Sequence, residues 1–434
     1  MNQYSEKPDI MAIGDSMYQG IHSLSMPPWM AEHSAPAQVA RALGMKMVVP
    51  DLSQPLLWDI VKELRGGGIA GIVKNMPAIC RSNLLHWQPG QPWSAHEAFD
   101  NVAIGGAVIK ELWTLTYDSK WQEFLRLSDE FRNNDVSFVS DSNKFIDLWF
   151  ALSACYTLNP RHRPEQGGLS QLDQAIQRAP RILLINIGSN EGLFNACFMG
   201  DIRFTTQADI KTMAETEAKI NGLVTELADR LKALPNRVEK IVFNGMIRPR
   251  FVPNLMPDHT QDNIFPGDEY FPAYGSRLTG TQTPVSGDSL RQYDEMIARI
   301  NARSDETLRM ALGNRAVFAD LYPACPPLDG KHYHRHGIKI EDPDITIDNR
   351  PITPTPFGFH GGFTSLDNMH PTIPGYAMMA DVVLKALGRN DLTTNKSAAF
   401  QADNLLNDFP GWKVFTAQVL IPFLASLATQ FVRR

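Results

Sequence analysis

A serine follows a short apolar stretch close to the start of the chain, in the tripeptide Gly14-Asp15-Ser16. If that stretch is a β-strand, the glycine permits a sharp turn, and the serine hydroxyl emerges at the carboxyl end of the strand, where open parallel sheets bind their ligands. A hydroxyl in that position is suited to attack a carbonyl carbon. The alternative is a polar strand-to-helix turn in which Ser16 only caps a helix.

An aspartate and a histidine stand three residues apart near the other end of the chain, in Asp367-Asn368-Met369-His370. This spacing lets the carboxylate reach back to the ring Nδ1–H of His370, so that Nε2 can take a proton from a serine. Thr372 is predicted to cap the following helix and to anchor the loop. The alternative is an exposed Asp/His loop without chemistry.

Two further segments offer hydrogen-bond donors for an oxyanion. The predicted strand 101–104 ends in Gly105 and Gly106, which let a backbone N–H approach a substrate oxygen. The predicted strand 182–187 is followed by Asn190, which places a side-chain amide at another strand end. Taken alone, each segment is explained equally well as an ordinary turn at the end of a strand. That explanation is weaker when both segments lie along the chain between the serine motif and the histidine motif.

These four motifs, GDS, NxxxxG, GxN and DxxHP, resemble the four conserved blocks of the SGNH/GDSL hydrolase superfamily. The last of them, SLDNMHPTIPGYAMMA, is closely similar to bacterial lipases and esterases of that superfamily. The resemblance implies that Ser16 is the nucleophile and that His370 is its base, oriented by Asp367. It also implies that the backbone N–H of Ser16, Gly106 and Asn190 together hold the oxyanion.

The same resemblance implies a serine esterase or lipase that cleaves a small-molecule or lipid carboxylic ester, with no cofactor and no metal. An acyltransferase that uses the same residues to acylate an alcohol or a sugar is the alternative, and an inactive glycan-binding module is a weaker one. The chain departs from the superfamily pattern at Met17, where leucine is usual, and at Glu191, where aspartate is usual. The glutamate at 191 changes the residue that would support the side chain of Asn190, but it does not change the assignment of Asn190 itself.

The elements that must position these residues are predicted from short apolar runs that alternate with helical patterns, which indicate an α/β protein with a parallel sheet. The predicted strands are 9–14, 46–49, 101–104, 181–187, 239–244 and 315–320, and the predicted helices are 35–43, 208–234 and 289–311. The resemblance implies a flavodoxin-like three-layer α/β/α sandwich around a five-stranded parallel sheet.

The chain is longer than a minimal hydrolase domain requires. Residues 1–392 are predicted to be the catalytic domain, with a mainly helical insertion at 107–180 and a loop-like insertion at 247–288 that together form a lid or cap. Residues 393–434 are predicted to be a C-terminal amphipathic helical segment. Its stretch 414–432 is expected to dock on the core or to contact a membrane surface or a second copy.

Residues 145–158, FIDLWFALSACYTL, are apolar nearly all round and are predicted to be a buried helix. Two interpretations remain open for it. The helix is either the core of the first insertion or the lining of a tunnel for an acyl chain, since ligand pockets are mostly apolar.

Three histidines at alternating positions raise a rival interpretation, in which the chain is a metal-dependent phosphoesterase. They are His332, His334 and His336, with Glu341, Asp342 and Asp344 nearby. In an extended strand the three imidazoles would share one face, but the surrounding glycine and proline indicate a loop, and nothing supplies the second shell of a metal site. No metal site is therefore expected.

The bulk composition excludes some partners. The 434 residues carry a formal net charge of −6, without the clustered Lys and Arg that phosphate binding requires, so no nucleic acid is expected. Four widely spaced cysteines, without a CxxC motif, are expected to be reduced and buried. The first residues contain only a short apolar run, which predicts a cytoplasmic chain without a signal peptide or a transmembrane helix.

Overall fold

Four parallel strands form the central sheet of the computed structural model, which describes residues 7–137, 140–192, 202–257, 270–276, 285–331, 337–341, 344–355 and 358–407. The strands are β1 (Ile10–Gly14), β2 (Ile182–Asn186), β3 (Lys240–Asn244) and β4 (Ala316–Ala319). They lie in this order, with Ile182 paired to Ile10 on one side and to Lys240 on the other. All four lie within the predicted strands, which are thereby confirmed.

Helices surround the sheet. They are α1 (Ser16–Gln19), α2 (Ala35–Ala42), α3 (Ile60–Leu84), α4 (Glu111–Thr114), α5 (Tyr117–Asn133), α6 (Ser142–Leu158), α7 (Gln171–Arg178), α8 (Gln207–Leu231), α9 (Gly287–Leu312), α10 (Cys325–Leu328), α11 (Ile373–Ala386) and α12 (Lys396–Ala402). Short 3₁₀ turns occur at Ala31–His33, Pro164–Gln166, Pro249–Phe251, Gly313–Arg315 and Tyr322–Ala324. The three predicted helices correspond to α2, α8 and α9 and are confirmed.

Successive side chains of each strand point to opposite faces of the sheet, and each face is covered by its own helices. Ile10 and Ala12 belong to a buried cluster that includes residues of α2 and α11. Met11 and Ile13 belong to a second cluster that includes residues of α8 and α9. The result is a three-layer α/β/α sandwich, as the resemblance to the superfamily implies.

The fifth position of the sheet is held by an irregular segment. Asn101 forms a parallel bridge with Ala12. The N–H of Val102 donates to the carbonyl of Ala12 at 2.9 Å, and the N–H of Ile104 donates to the carbonyl of Gly14 at 3.0 Å. The segment 101–104 therefore lies beside β1 as predicted, although it is not a regular strand.

The strand predicted at 46–49 is wrong. Within this segment only Val48 bonds to the adjacent segment of the described structure, where its carbonyl accepts the N–H of Asp100 at 2.6 Å and its N–H donates to the Asp100 carboxylate. Pro50 follows directly and has no N–H to continue a ladder. The segment therefore forms no ladder beyond Val48 and is not a regular strand.

The segment 107–180 contains α4 to α7, so the helical content predicted there is confirmed. Between Phe145 and Leu158 every side chain except that of Asp147 is buried. This burial favours the interpretation of α6 as core. The acyl-chain tunnel stays a prediction.

The loop predicted for 247–288 is wrong in part. Its described residues contain three short antiparallel strands, Leu255–Pro257, Ala273–Ser276 and Val285–Ser286. Two further small hairpins join Ile338–Ile340 to Ile345–Ile347 and Thr353–Thr355 to Gly358–His360. These strands have only two to four residues each. Whether such short segments form strands depends on the segments they pair with, because they are too short to show an alternation of apolar and polar residues.

Three of the four cysteines, Cys80, Cys155 and Cys325, are free and buried, and burial raises the pKa of the Cys325 thiol to about 12. Cys197, His332, His334, His336, Asp342 and the segment 414–432 lie outside the described residues. Among the helices that the structure describes, none combines the length and the apolar character needed to cross a membrane.

Candidate active site

The turn between β1 and α1 holds Ser16 at the carboxyl end of the strand. Gly14 has a φ of +144°, and a Cβ at this position would lie 2.0 Å from the carbonyl oxygen of Asn186, so only glycine fits. Asp15 caps α1 by accepting the N–H of Met17 at 3.1 Å. Ser16 is the first residue of α1 and is half-buried. Its backbone N–H therefore belongs to the first turn, where helical N–H groups have no partner within the helix.

Asp367 and His370 form a buried pair. The ring Nδ1 of His370 lies 2.8 Å from Oδ2 of Asp367, and the two residues are 3% and 2% exposed. Oδ1 accepts the N–H groups of Met369 and His370 at 2.9 Å, and Oδ2 also accepts the N–H of Leu24 at 2.7 Å. Burial by itself raises the pKa of Asp367, but the His370 charge and these hydrogen bonds outweigh it and hold the pKa below its ordinary value.

The loop of this pair is anchored by the start of α11. The side chain of Thr372 accepts the N–H of Gly375 at 3.2 Å, and its hydroxyl donates to the carbonyl of Gly362 at 2.6 Å. Pro374 lies in the first turn of the helix. The predicted helix cap is confirmed, and the loop is buried rather than exposed.

His370 lies near the segment that follows α1, because Oδ2 of Asp367, which contacts its ring, also accepts the N–H of Leu24. Within the described part of the chain, however, no hydrogen bond joins the hydroxyl of Ser16 to the ring of His370. Catalytic hydrogen bonds are often long in unliganded enzymes and tighten when the substrate binds. The structure thus joins Asp367 to His370 and ties this pair to the segment that follows α1, without a hydrogen bond to Ser16 among the described residues.

Asp15 is a buried acid that sequence reasoning did not single out. Burial raises its pKa to about 7, although the Met17 N–H, the Asn186 amide and the His370 charge act in the opposite direction. The amide of Asn186 donates to Oδ1 at 2.9 Å, while Oδ2 is buried without a partner among the described residues. A carboxyl group in such a site retains its proton to a higher pH than in the unfolded chain.

This raised pKa predicts how Asp15→Asn changes the stability. Between about pH 4 and pH 7 the unfolded chain releases the Asp15 proton before the folded chain does, so this group lowers the free energy of unfolding as the pH rises. The neutral amide lacks this effect. We expect the stability of the variant relative to the wild type to improve by up to about 4 kcal/mol from pH 4 to pH 8.

Urea unfolding at each pH measures this difference. Asp129→Asn is the matched control, because Asp129 lies on α5 and its side chain is largely exposed. If the difference in unfolding free energy between Asp15→Asn and the wild type did not change with pH, the pKa of Asp15 would not be raised in the folded protein.

The two candidate glycines differ in what their N–H groups contact. The N–H of Gly105 donates to Oε1 of Gln19 at 2.7 Å, so it is already used. Gly106 has a φ of +75°, and a Cβ there would lie 2.2 Å from the ring of Phe150. Its N–H has no hydrogen bond to the residues that the structure describes. This difference favours Gly106 as the donor to a substrate oxygen.

Asn190 lies next to the same loop. Its Nδ2 donates to the carbonyl of Ala107 at 2.9 Å, which uses one of the two N–H bonds of the amide. The adjacent Glu191 is buried, accepts the N–H of Ile109 at 2.8 Å and lies 2.9 Å from Nζ of Lys219. The glutamate that departs from the superfamily pattern therefore holds the loop against which Asn190 packs.

Two glutamines that the sequence did not indicate support the turn. Nε2 of Gln19 donates to the hydroxyl of Ser153 on α6 at 2.7 Å. Gln171 on α7 accepts the N–H of Gly14 at 2.7 Å and donates to its carbonyl at 3.2 Å. Both side chains are buried, so the segment 107–180 is tied to the strand end that carries Ser16. No local pattern distinguishes a glutamine with such a role from one on a solvated helix face.

The described residues contain no group of three or more His, Cys, Asp or Glu side chains that could hold a metal ion. His332, His334 and His336, which were considered above as metal ligands, lie outside the described residues.

A family model described as GDSL-like Lipase/Acylhydrolase matches residues 10–383, from β1 to α11. The chain belongs to the GDSL-like lipase/acylhydrolase family. No curated protein and no solved structure matches it. Membership of the GDSL-like family agrees with the parallel α/β sheet and indicates a hydrolase of the general lipase or acylhydrolase kind. The match includes the turn of Ser16 and the Asp367–His370 pair, but it ends before α12.

Proposed function

We propose that this GDSL-like protein is an esterase that cleaves a carboxylic ester through an acyl-enzyme on Ser16. The observation that carries the proposal is the buried hydrogen bond of 2.8 Å between Asp367 and His370, which the N–H of Leu24 ties to the segment that follows Ser16 and α1. An ionised carboxylate on Nδ1 fixes the tautomer in which Nε2 accepts a proton. That is the base a serine hydroxyl needs, because the free alcohol is a weak nucleophile.

In the proposed reaction, His370 takes the proton of the Ser16 hydroxyl while Oγ attacks the ester carbonyl carbon. The resulting oxyanion accepts hydrogen bonds from the N–H groups of Ser16 and Gly106 and from the amide of Asn190. His370 then gives its proton to the departing alcohol oxygen, which leaves an acyl group on Oγ. A water molecule attacks the acyl carbon with His370 as base, and the acid is released as Ser16 regains its proton.

The oxyanion role of Asn190 predicts a large effect of Asn190→Ala on kcat. Removing one preorganised donor typically lowers kcat by about 10²- to 10³-fold, and KM is expected to change little because the hydrogen bond strengthens in the transition state. Steady-state kinetics with p-nitrophenyl esters measures both constants.

Asn133→Ala is the matched control for this variant, because Asn133 is exposed at the end of α5. Its kcat should equal that of the wild type. An Asn190→Ala enzyme that raises KM and keeps the wild-type kcat would show that the amide binds substrate without stabilising the oxyanion.

We also propose that the segment 107–180 caps the site. Support comes from the contacts of α6 and α7 with Gln19 and Gly14, and from the close approach of Trp149 and Phe150 to Gly105 and Gly106. Apolar rings beside an oxyanion loop exclude water, which strengthens the hydrogen bonds that hold the developing charge.

The experiment that tests the proposal measures the turnover of p-nitrophenyl acetate and of p-nitrophenyl phosphate by the full chain, each with and without EDTA. Turnover of the carboxylic ester that survives EDTA is the expected result. Turnover confined to the phosphate ester and lost in EDTA would overturn the proposal in favour of a metal-dependent phosphoesterase.

A further inference from the structure

Directly after α1 the chain makes a tight turn at 22–25 that presses against the loop of Asp367 and His370. His22 and Ser25 exchange backbone hydrogen bonds of 2.9 and 3.0 Å. The two central residues, Ser23 and Leu24, both have a φ of +52°, in the left-handed region that costs about 1 kcal/mol or more for residues other than glycine. Such strain persists only where neighbouring contacts hold the backbone in place.

Those contacts are made with the catalytic loop. The N–H of Ser23 donates to the hydroxyl of Ser365 at 2.8 Å, and the N–H of Leu24 donates to Oδ2 of Asp367 at 2.7 Å. Oδ2 is also the oxygen that contacts Nδ1 of His370. The left-handed turn therefore aims two backbone donors at the loop, one of them at the carboxylate oxygen that orients the proposed base.

A second buried histidine–carboxylate pair lies behind this turn. His22 is fully buried, with Nδ1 3.2 Å from the hydroxyl of Ser23 and Nε2 3.4 Å from Oδ2 of Asp403. The hydroxyl of Ser23 in turn accepts the N–H of Leu366 at 3.3 Å. A chain of contacts thus runs from Asp403 through His22 and Ser23 into the loop of Asp367.

Asp403 is held firmly from the other side. It is buried and accepts the N–H of Ile373, the first residue of α11, at 2.8 Å, and the N–H groups of Leu405 and Leu406 at 2.9 and 3.1 Å. It follows α12 and lies beyond residue 383, where the match to the family model ends. The C-terminal segment therefore supplies a fixed anchor on the far side of His22.

The charges of three carboxylates act on His22. Burial by itself lowers the pKa of this histidine, but Asp403, followed by Asp367 on the catalytic loop and Asp59 at the start of α3, raises it above the ordinary value. The uncharged ring of Trp29 also packs against it, with a centroid distance of 5.4 Å. His22 consequently carries its positive charge to a higher pH than a free histidine does.

We propose that His22 and Asp403 position the catalytic carboxylate of Asp367 through the strained turn at 22–25. The inference rests on the proposed esterase function. The pair holds Ser23 and Leu24 so that their N–H groups fix the loop, and a loosened turn misplaces the base. A displacement of about 1 Å at such a site can lower the rate by about a hundredfold.

The test measures His22→Gln in the full chain, with kcat expressed per active site titrated by a fluorophosphonate. We expect kcat to fall by about ten- to a hundredfold with KM unchanged. The acidic limb of the kcat/KM profile should move to higher pH, because removal of a positive charge beside the Asp367–His370 pair favours proton uptake there. The matched control is His96→Gln, since His96 lies 3.9 Å from Asp51 on the surface.

The single variant leaves Asp403 buried without its partner and can fail to fold. The double variant His22→Gln/Asp403→Asn removes both charges, so it provides the second measurement, and its kcat should fall as far as that of the single variant. A wild-type kcat per titrated site in either folded variant would overturn the inference, even if the melting temperature fell. That outcome would leave the esterase proposal intact, whereas a wild type that is not labelled at Ser16 would defeat the proposed function itself.

Discussion

Replacement of Ser16 by alanine is expected to lower kcat for ester hydrolysis by about 10⁴-fold or more, because no other group can carry the acyl intermediate. The fold should be unaffected. Within the described residues the Ser16 hydroxyl makes no hydrogen bond, and the start of α1 is capped by the side chain of Asp15. Initial rates with p-nitrophenyl acetate and the melting temperature measure the two effects separately.

Ser82→Ala is the matched control, because Ser82 is exposed on α3. It should retain both the wild-type rate and the wild-type stability. If Ser16→Ala hydrolysed the ester at a rate within about tenfold of the wild type, Ser16 would not be the nucleophile, since loss of a covalent nucleophile costs far more.

The second large effect is expected for His370→Ala, which removes the base and should lower kcat by a factor similar to that of the serine variant. Residues that act as one catalytic unit do not have additive effects, so the double variant with Ser16→Ala should be no slower than either single variant. The carboxylate of Asp367 keeps three backbone donors, the N–H groups of Leu24, Met369 and residue 370 itself. The buried charge therefore remains satisfied, and the variant is expected to fold.

His96→Ala serves as the control for this variant, because that histidine is half-exposed and lies outside the site. Added imidazole should restore part of the activity of His370→Ala, because the deleted ring leaves space beside Asp367. A His370→Ala enzyme with the wild-type kcat and the wild-type pH profile would exclude His370 as the base.

Much of the fold could be predicted because the signals are local. The strands β1 and β2 are short runs of mainly apolar residues that are buried on both faces, which is the pattern of a covered parallel sheet. The cap of α11 at Thr372 is likewise a local signal. The turn at Gly14 is predictable for the same reason, because a glycine directly follows the apolar run of β1.

What the sequence did not reveal depends on contacts between distant parts of the chain. The segment 46–49 has the composition of a strand, but among the described residues it bonds to the neighbouring segment only through Val48, which contacts Asp100 and Asn101. The roles of Gln19 and Gln171 arise only when α6 and α7 pack against the end of β1.

The support behind Asp367 was missed for the same reason. His22 and Asp403 lie near opposite ends of the chain, and neither belongs to a motif with a fixed spacing. Sequence reasoning finds the residues that act on a substrate when they occur in short motifs. It does not find the residues that hold those motifs in place, because any buried polar side chain can serve that purpose once the fold brings it there.

A fluorophosphonate probe tests the central claim most directly, because its phosphorus forms a bond to an activated serine oxygen as fluoride leaves. After the full chain has been labelled and digested, peptide mapping by mass spectrometry should locate one adduct, on Ser16. Labelling should be lost in Ser16→Ala and strongly slowed in His370→Ala. A preparation that hydrolyses esters but carries the adduct on another residue, or carries none, would contradict the account.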